Sequence, residues 1–324
     1  MIKPLSLGAS HFPVNVIQGP LAGVSSAPFR LLTTEYSKPA FTCTEMISCK
    51  TLIHQPKRSR QRYIAKAQGE GPVCFQLSGS DTSELAEATK IATDAGADLI
   101  DLNCGCPVKK IRSRGAGSRL LTTPQKLYHL IQAMKQHTHL PVSIKIRVQG
   151  EGDDQCNQAI ATSVSDAGAD FLIVHGRHWT EHYETPCRHD QIAFFVQALN
   201  IPVIGNGDIA DTHSLQKMFA TGCAGVMIGR AGVGAPWLIG KLMADLTHQP
   251  FTIPTTLEIG TIFLRHVSLL IELLGNEKFA ILEARKLAKY YAKSLPARLE
   301  FTVAANQCET FNALNELCFR YFER

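Results

Sequence analysis

The sequence predicts a (β/α)8 barrel followed by a small all-helical C-terminal domain. Three observations carry that prediction. Short, nearly continuous apolar runs recur along the chain as far as residue 228, as expected of parallel strands buried on both faces. A unit repeats: Asp94-Ala-Gly-Ala-Asp98 runs into Leu-Ile, and Asp166-Ala-Gly-Ala-Asp170 into Phe-Leu-Ile, 72 residues later, the length of two βα units. Beyond about residue 245 the strand-like runs stop, and apolar positions fall at helical spacing.

The eight runs lie at residues 14–18, 40–45, 73–77, 99–103, 142–147, 171–175, 203–206 and 225–228. Amphipathic segments separate most of them. Residues 83–95 place Leu85, Ala88, Ile91, Ala92 and Ala95 on one helical face, and Asp81 with Glu84 predicts a capping box. Gly96 and Gly168 stand where a helix should end in a left-handed cap before the next strand, and Thr221-Gly-Cys-Ala-Gly225 repeats the theme. Eight strands alternating with helices favour a closed barrel over an open sheet. No GxGxxG follows the first run, which speaks against a Rossmann sheet. A Pro-containing linker at 248–256 divides a barrel at 1–247 from a helical domain at 248–324. In that domain Ile259, Ile262, Phe263, Val267, Leu270, Ile271 and Leu274 recur at helical spacing, followed by Ala280, Ala284, Leu287, Ala288 and Tyr291, then Phe311, Leu314, Leu317, Cys318 and Tyr321.

Composition narrows the class. Of 324 residues 45% are hydrophobic and 19% charged, with 24 Gly and 16 Pro, which excludes collagen-like, coiled-coil and disordered chains. No run approaches the roughly 20 apolar residues of a membrane-spanning helix, and the N-terminus has no signal-peptide core, so a cytoplasmic protein, read as a monomer, is expected. The ten cysteines are scattered without a CxxC pair; they read as reduced thiols, with no metal site.

In this fold reactive groups sit at the carboxyl ends of the strands. Those ends read Gln18-Gly-Pro-Leu-Ala-Gly23, Glu45, Gln76, Asn103-Cys-Gly-Cys-Pro107, Lys145-Ile-Arg147, His175-Gly-Arg177, Asn206-Gly-Asp208 and Gly229-Arg230. One polar strand end is readily explained as a satisfied core residue; polar ends on almost every strand point to a shared site. Glu45 and Arg147 suit site or scaffold equally, whereas His11, His54, His137 and His139 read as surface residues. Gly207 and Gly229 follow strands seven and eight, the usual phosphate seat of the fold, so a phosphorylated cofactor is expected there. Cys104 and Cys106 could form a metal or redox pair. With no His or Cys partner at matching spacing, a single proton-donating cysteine is more economical. Cys106, followed by Pro107 and by Lys109-Lys110, is that residue, and Cys104 is assigned to packing.

Together these motifs resemble the tRNA-dihydrouridine synthases, in particular their bacterial, DusB-like branch. The residues that carry the likeness are Pro20-Leu-Ala-Gly-Val with Pro28-Phe-Arg30, Asp101-Leu-Asn-Cys-Gly-Cys-Pro-Val-Lys-Lys110, Ala116-Gly-Ser118 with Leu120-Leu121, Lys145-Ile-Arg147, His175-Gly-Arg177, Ile204-Gly-Asn-Gly-Asp-Ile209 and Gly229-Arg230-Ala231 with Pro236-Trp237. The resemblance implies FMN on the barrel, NADPH or NADH as reductant, and tRNA as substrate. It further implies that Pro20, Leu21 and Ala22 lie along the flavin ring and that Gln76 and Lys145 bond its polar edge. His175 would reach the ring or ribityl chain, and Asn206, Gly207, Asp208, Gly229 and Arg230 would hold ribityl and phosphate. Cys106 would be the general acid, with Asn103, Lys109, Lys110 and Arg147 facing the RNA. The chain departs from the family after Arg177: His178 replaces the usual Thr, and Thr185-Pro-Cys-Arg-His-Asp190 replaces a Gly-x-Ala-Asp-Trp.

The net charge of +5 is modest but unevenly spread. Residues 102–150 carry nine Lys or Arg and no acid, residues 50–66 carry six and no acid, and the tail from Phe251 holds nine basic and eight acidic residues. The barrel rim is therefore expected to attract RNA phosphates, and the tail to supply shape and orientation. Two rivals stand beside this reading: an FMN barrel acting on a free pyrimidine, like a dihydroorotate dehydrogenase, and a non-catalytic RNA-binding protein.

Overall fold

The computed structural model describes residues 1–150 and 153–323. Its strands are β1 (Val16–Gln18), β2 (Thr42–Cys43, resumed at Ile47–Ser48), β3 (Val73–Ser78), β4 (Leu99–Cys104), β5 (Val142–Arg147), β6 (Phe171–His175), β7 (Val203–Asn206) and β8 (Gly225–Ile228). Each pairs in parallel with the next, and β8 returns to β1 with Val226 opposite Val16, which closes the barrel.

Side chains alternate across a strand, and here the alternation separates two cores. Phe75, Leu77, Ile100, Leu102, Ile144, Ile146, Leu172 and Val174 pack outward against the surrounding helices. Ile17, Cys43, Cys74, Leu99, Phe171, Ile173, Ile204 and Met227 fill the interior. A hairpin of Leu5–Leu7 and Ser10–Phe12, not anticipated from the sequence, caps that interior with Leu5, Leu7 and Phe12. Phe12 packs on Phe41 at 5.4 Å between ring centres, and Phe41 on Phe171 at 6.3 Å.

The repeated sequence unit has a repeated function in the fold. Gly96, Gly168 and Gly222 have φ of 87°, 79° and 84°, the left-handed turn that reverses chain direction from helix to strand. The Asp that closes each of the first two units bonds the start of the preceding apolar strand. Asp98 Oδ2 accepts from the Val73 amide at 2.8 Å and from Lys66 Nζ at 2.7 Å; Asp170 Oδ2 accepts from the Val142 amide at 2.7 Å and from Lys135 Nζ at 2.6 Å.

Two local expectations are corrected. The run at 40–45 is not one strand. The Thr44 hydroxyl takes the Gln76 amide proton at 3.0 Å and donates to the Glu45 carbonyl at 2.9 Å, so side-chain bonds replace the ladder between the two pieces of β2. Asp81 caps its helix by accepting from the amides of Ser83 and Glu84, but Glu84 does not reciprocate; it faces Lys50 at 3.4 Å.

The tail is helical, at Thr256–Leu274, Glu277–Tyr291, Arg298–Ala305 and Phe311–Phe322. Thr255 and Glu258 form a full capping box at its entry, and Gly275 caps the first helix at φ 60°. Its core is built on Phe263, Tyr291, Phe301 and Phe322 and continues into Leu32, Val233 and Trp237 of the barrel. Arg265 reaches back to both carboxylate oxygens of Glu35 at 2.6 Å. Close approach also requires glycine at 234, where a Cβ would collide with the Tyr290 carbonyl carbon.

Candidate functional site

At the carboxyl ends of the strands a cleft of about 1260 Å³ opens between the barrel mouth and the tail. Gln76, Asn103, Lys145, His175 and Asn206 are inward positions at or near the carboxyl ends of β3 to β7, and all five line it. Pro20, Leu21 and Ala22 form an apolar side, and Gly207, Asp208, Gly229 and Arg230 lie after β7 and β8. Cys106 and Arg147 also line the cleft.

A hydrogen-bonded chain crosses its floor. The buried Asp101 accepts from Ser143 Oγ and from Gln76 Nε2, both at 2.7 Å. Gln76 Oε1 accepts from Asn103 Nδ2 at 2.8 Å, and Asn103 Oδ1 accepts from the Cys106 amide at 2.9 Å. The Cys106 carbonyl accepts from the Ser118 amide at 3.0 Å. Gly117, at φ 60°, lets the loop fold back this tightly, since a Cβ there would stand 2.7 Å from that carbonyl oxygen. Cys104 points into the outer core, and burial pushes its thiol well above the usual range.

Burial also lowers Lys145 and raises Asp101, the attraction between the two opposing the shift in each. Lys145 Nζ donates to Asn206 Oδ1 at 2.7 Å, leaving two further protons on the ammonium group. His175 is pushed down to about 2, first by burial and then by Lys145, Arg147, Arg177 and Arg230, so its ring is neutral at physiological pH. On the far side the Asp208 carboxylate is held by Arg177 and by the Cys187 amide at 3.0 Å, with Arg230 3.6 Å away. Arg230 lies 3.6 Å over the ring of Tyr183. The described residues contain no group of three or more His, Cys, Asp or Glu placed to hold a metal ion, and none of their helices is long and apolar enough to cross a membrane.

The family model described as Dihydrouridine synthase (Dus) matches residues 17–322. The chain belongs to the dihydrouridine synthase family. It is 33% identical over 321 residues to "tRNA-dihydrouridine synthase B" of Xanthomonas axonopodis pv. citri, covering 98% of this chain and 96% of that one. It is 31% identical to the protein of the same name in Vibrio cholerae, covering 98% and 99%. In fold it is similar to an old yellow enzyme homologue from Zymomonas mobilis, with a TM-score of 0.56 at 12% identity, over 77% of this chain and 93% of that one.

Within this dihydrouridine synthase family member, most residues singled out in the sequence meet in the cleft; some do not. Lys109 and Lys110 are exposed on the short helix Lys109–Arg112, outside the cleft lining. Glu45 turns away to accept from the Gly23 amide at 2.6 Å and to face Arg62 at 3.9 Å. Nothing in the sequence signals that Tyr290, Tyr291, Lys293, Ser294 and Arg298 of the tail line the cleft, or that Tyr183 does. Tyr183 follows His175 by eight residues in a loop without periodicity, where its carbonyl accepts from Arg177 at 2.9 Å and its ring lies under Arg230.

Proposed function

We propose that this protein is an FMN-dependent tRNA-dihydrouridine synthase that uses NADPH to reduce the 5,6 double bond of a uridine, in the D-loop of tRNA. Family membership and the names of the relatives support the reaction class. The observation that carries the reading is the cleft itself, with one half-buried thiol, Cys106, beside a row of buried and half-buried hydrogen-bonding groups at the strand ends.

The residues fit a planar ring bearing a phosphate. Pro20, Leu21 and Ala22 would lie against the ring, and Gln76 and Lys145 would meet its polar edge. Neutral His175 would approach ring or ribityl chain without adding charge. The backbone at Gly229 is bare: a Cβ there would meet only Leu21, at 3.8 Å. Gly207, Gly229 and Arg230 would receive the phosphate, with Asn206 on the ribityl chain, while Asp208 would anchor the loop through Arg177. Held by these residues, FMN would supply hydride chemistry at C6 of the uracil, with NADPH as the source of its electrons. Cys106 would then give its proton to C5 from the opposite face. The uridine must first leave its stack, at a cost of about a few kcal/mol, and Asn103 and Arg147 would meet it, with Lys109 and Lys110 on neighbouring phosphates.

Purified protein should be yellow with an FMN spectrum. Transfer RNA from a strain lacking the gene should lose dihydrouridine at one position, regained with the wild-type gene and not with Cys106→Ala. Colourless protein, or unchanged tRNA, overturns the proposal.

A further inference from the structure

Asp101 is fully buried, and its carboxylate takes no part in the steps above. Resting on the reading of the cleft as a dihydrouridine synthase site, we propose that Asp101 is a positioning residue which, through Gln76 and Asn103, fixes the orientation of two amide side chains and thereby the backbone that carries Cys106. Both oxygens of Asp101 accept, one from Ser143 Oγ and the other from Gln76 Nε2, whereas a carboxamide has one accepting and one donating end. Asp101 therefore forces Gln76 to present Nε2 to it, at 2.7 Å. The Oε1 of Gln76 must then face Asn103, whose Nδ2 donates to it at 2.8 Å. Only the Oδ1 of Asn103 is left for the loop, and it receives the amides of Cys106 at 2.9 Å and Gly105 at 3.3 Å.

Each link dictates the next, so the seat of the proton donor is set by a carboxylate three residues inside the strand. Were Gln76 or Asn103 turned over, an NH2 group would point at an amide N–H, and the Cys106 backbone would lose its acceptor. Ser143 holds the first link by donating to the other oxygen of Asp101 at 2.7 Å. The same carboxyl group attracts Lys145, so one buried side chain serves both the proton-donor wall and the proposed flavin wall.

The test compares Asp101→Leu with Asp101→Asn. Leucine keeps the branching at Cγ, though it is larger, and removes the acceptor. Asparagine can keep an oxygen towards Gln76 Nε2 while its NH2 turns to Ser143 Oγ, which can accept. Two readouts are taken on flavin-loaded protein: single-turnover dihydrouridine formation, and the rate at which iodoacetamide alkylates Cys106, followed by peptide mass spectrometry. In Asp101→Leu, single turnover should fall roughly 10- to 100-fold, the range expected when a reacting group is misplaced by about 1 Å. Cys106 alkylation should change several-fold, and Asp101→Asn should restore both towards wild type. Should Asp101→Leu fail to fold, Asp101→Ser, whose hydroxyl is too short to reach Gln76, takes its place. Wild-type values in a folded Asp101→Leu, or equal impairment in Asp101→Asn, overturn the proposal. So does loss of flavin without any change at Cys106. If the wild-type protein makes no dihydrouridine, the functional reading fails, while the alkylation comparison still decides the role of Asp101.

Discussion

The two ends of the barrel are built from the same eight strands with the same inward alternation, yet they are chemical opposites. At the amino end Leu5, Leu7, Phe12, Phe41 and Phe171 close the interior with apolar side chains. At the carboxyl end, one or two inward positions further along, Gln76, Asn103, Lys145, His175 and Asn206 face an open cleft. Between them lies Asp101, buried like the first set and hydrogen-bonded like the second. The lesson is that a strand's place in the barrel does not divide stability from chemistry; the position along the strand does.

That contrast can be broken from either end. The largest effect is expected at the mouth: Cys106→Ala should slow dihydrouridine formation about 10²- to 10⁴-fold, with flavin reduction by NADPH and the melting temperature unchanged, read by rapid-mixing kinetics and calorimetry. Phe171→Ala should do the reverse. It should cost about 3–5 kcal/mol in denaturant titrations while turnover per folded molecule stays at the wild-type value. Next comes Arg230→Ala, which removes one charged donor from the proposed phosphate seat. Flavin affinity measured by fluorescence should weaken about tenfold, and undiminished flavin would refute that placement. The smallest effect is expected at the rim. Charge reversal at Lys57, Arg58, Arg112 and Arg114 should weaken tRNA binding and lower the salt slope by roughly one for each phosphate no longer neutralised, with flavin content intact. In the tail, Lys286 pairs with Glu283 at 2.9 Å and Arg285 donates to the Cys308 carbonyl at 2.7 Å. Reversal at Arg285, Lys286 and Lys289 should therefore matter less for the slope; loss of binding there and not at the rim would invert the division of labour.

Much of this was legible because barrel strands buried on both faces leave continuous apolar runs, and because a polar residue ending such a run needs a reason. Gly96 and Gly168 announced their turns by chemistry that is local in sequence. The hairpin at 5–12 went unread because its strands are three residues each, and only Leu5, Leu7 and Phe12 mark its buried face. The break in β2 was hidden for another reason: Thr44 suits a strand by propensity, and only the partner amide of Gln76 shows that its hydroxyl has displaced the ladder. Tyr290, Lys293 and Arg298 were invisible as site residues, since helical periodicity reports which face is buried and not which neighbouring body that face overhangs.

The closure of β8 onto β1 also has a consequence for how the chain is made. Val16 finds its partner at Val226, 226 − 16 = 210 residues later. At about 5–20 residues per second of synthesis, one edge of β1 waits roughly 10–40 s for the strand that covers it. An uncovered edge invites pairing with other chains. β1 is only three residues long, Val16–Gln18, and Pro20 lies just beyond it, where no N–H is available to extend the ladder. The brevity of that strand is thus a safeguard during biosynthesis as well as a property of the finished barrel.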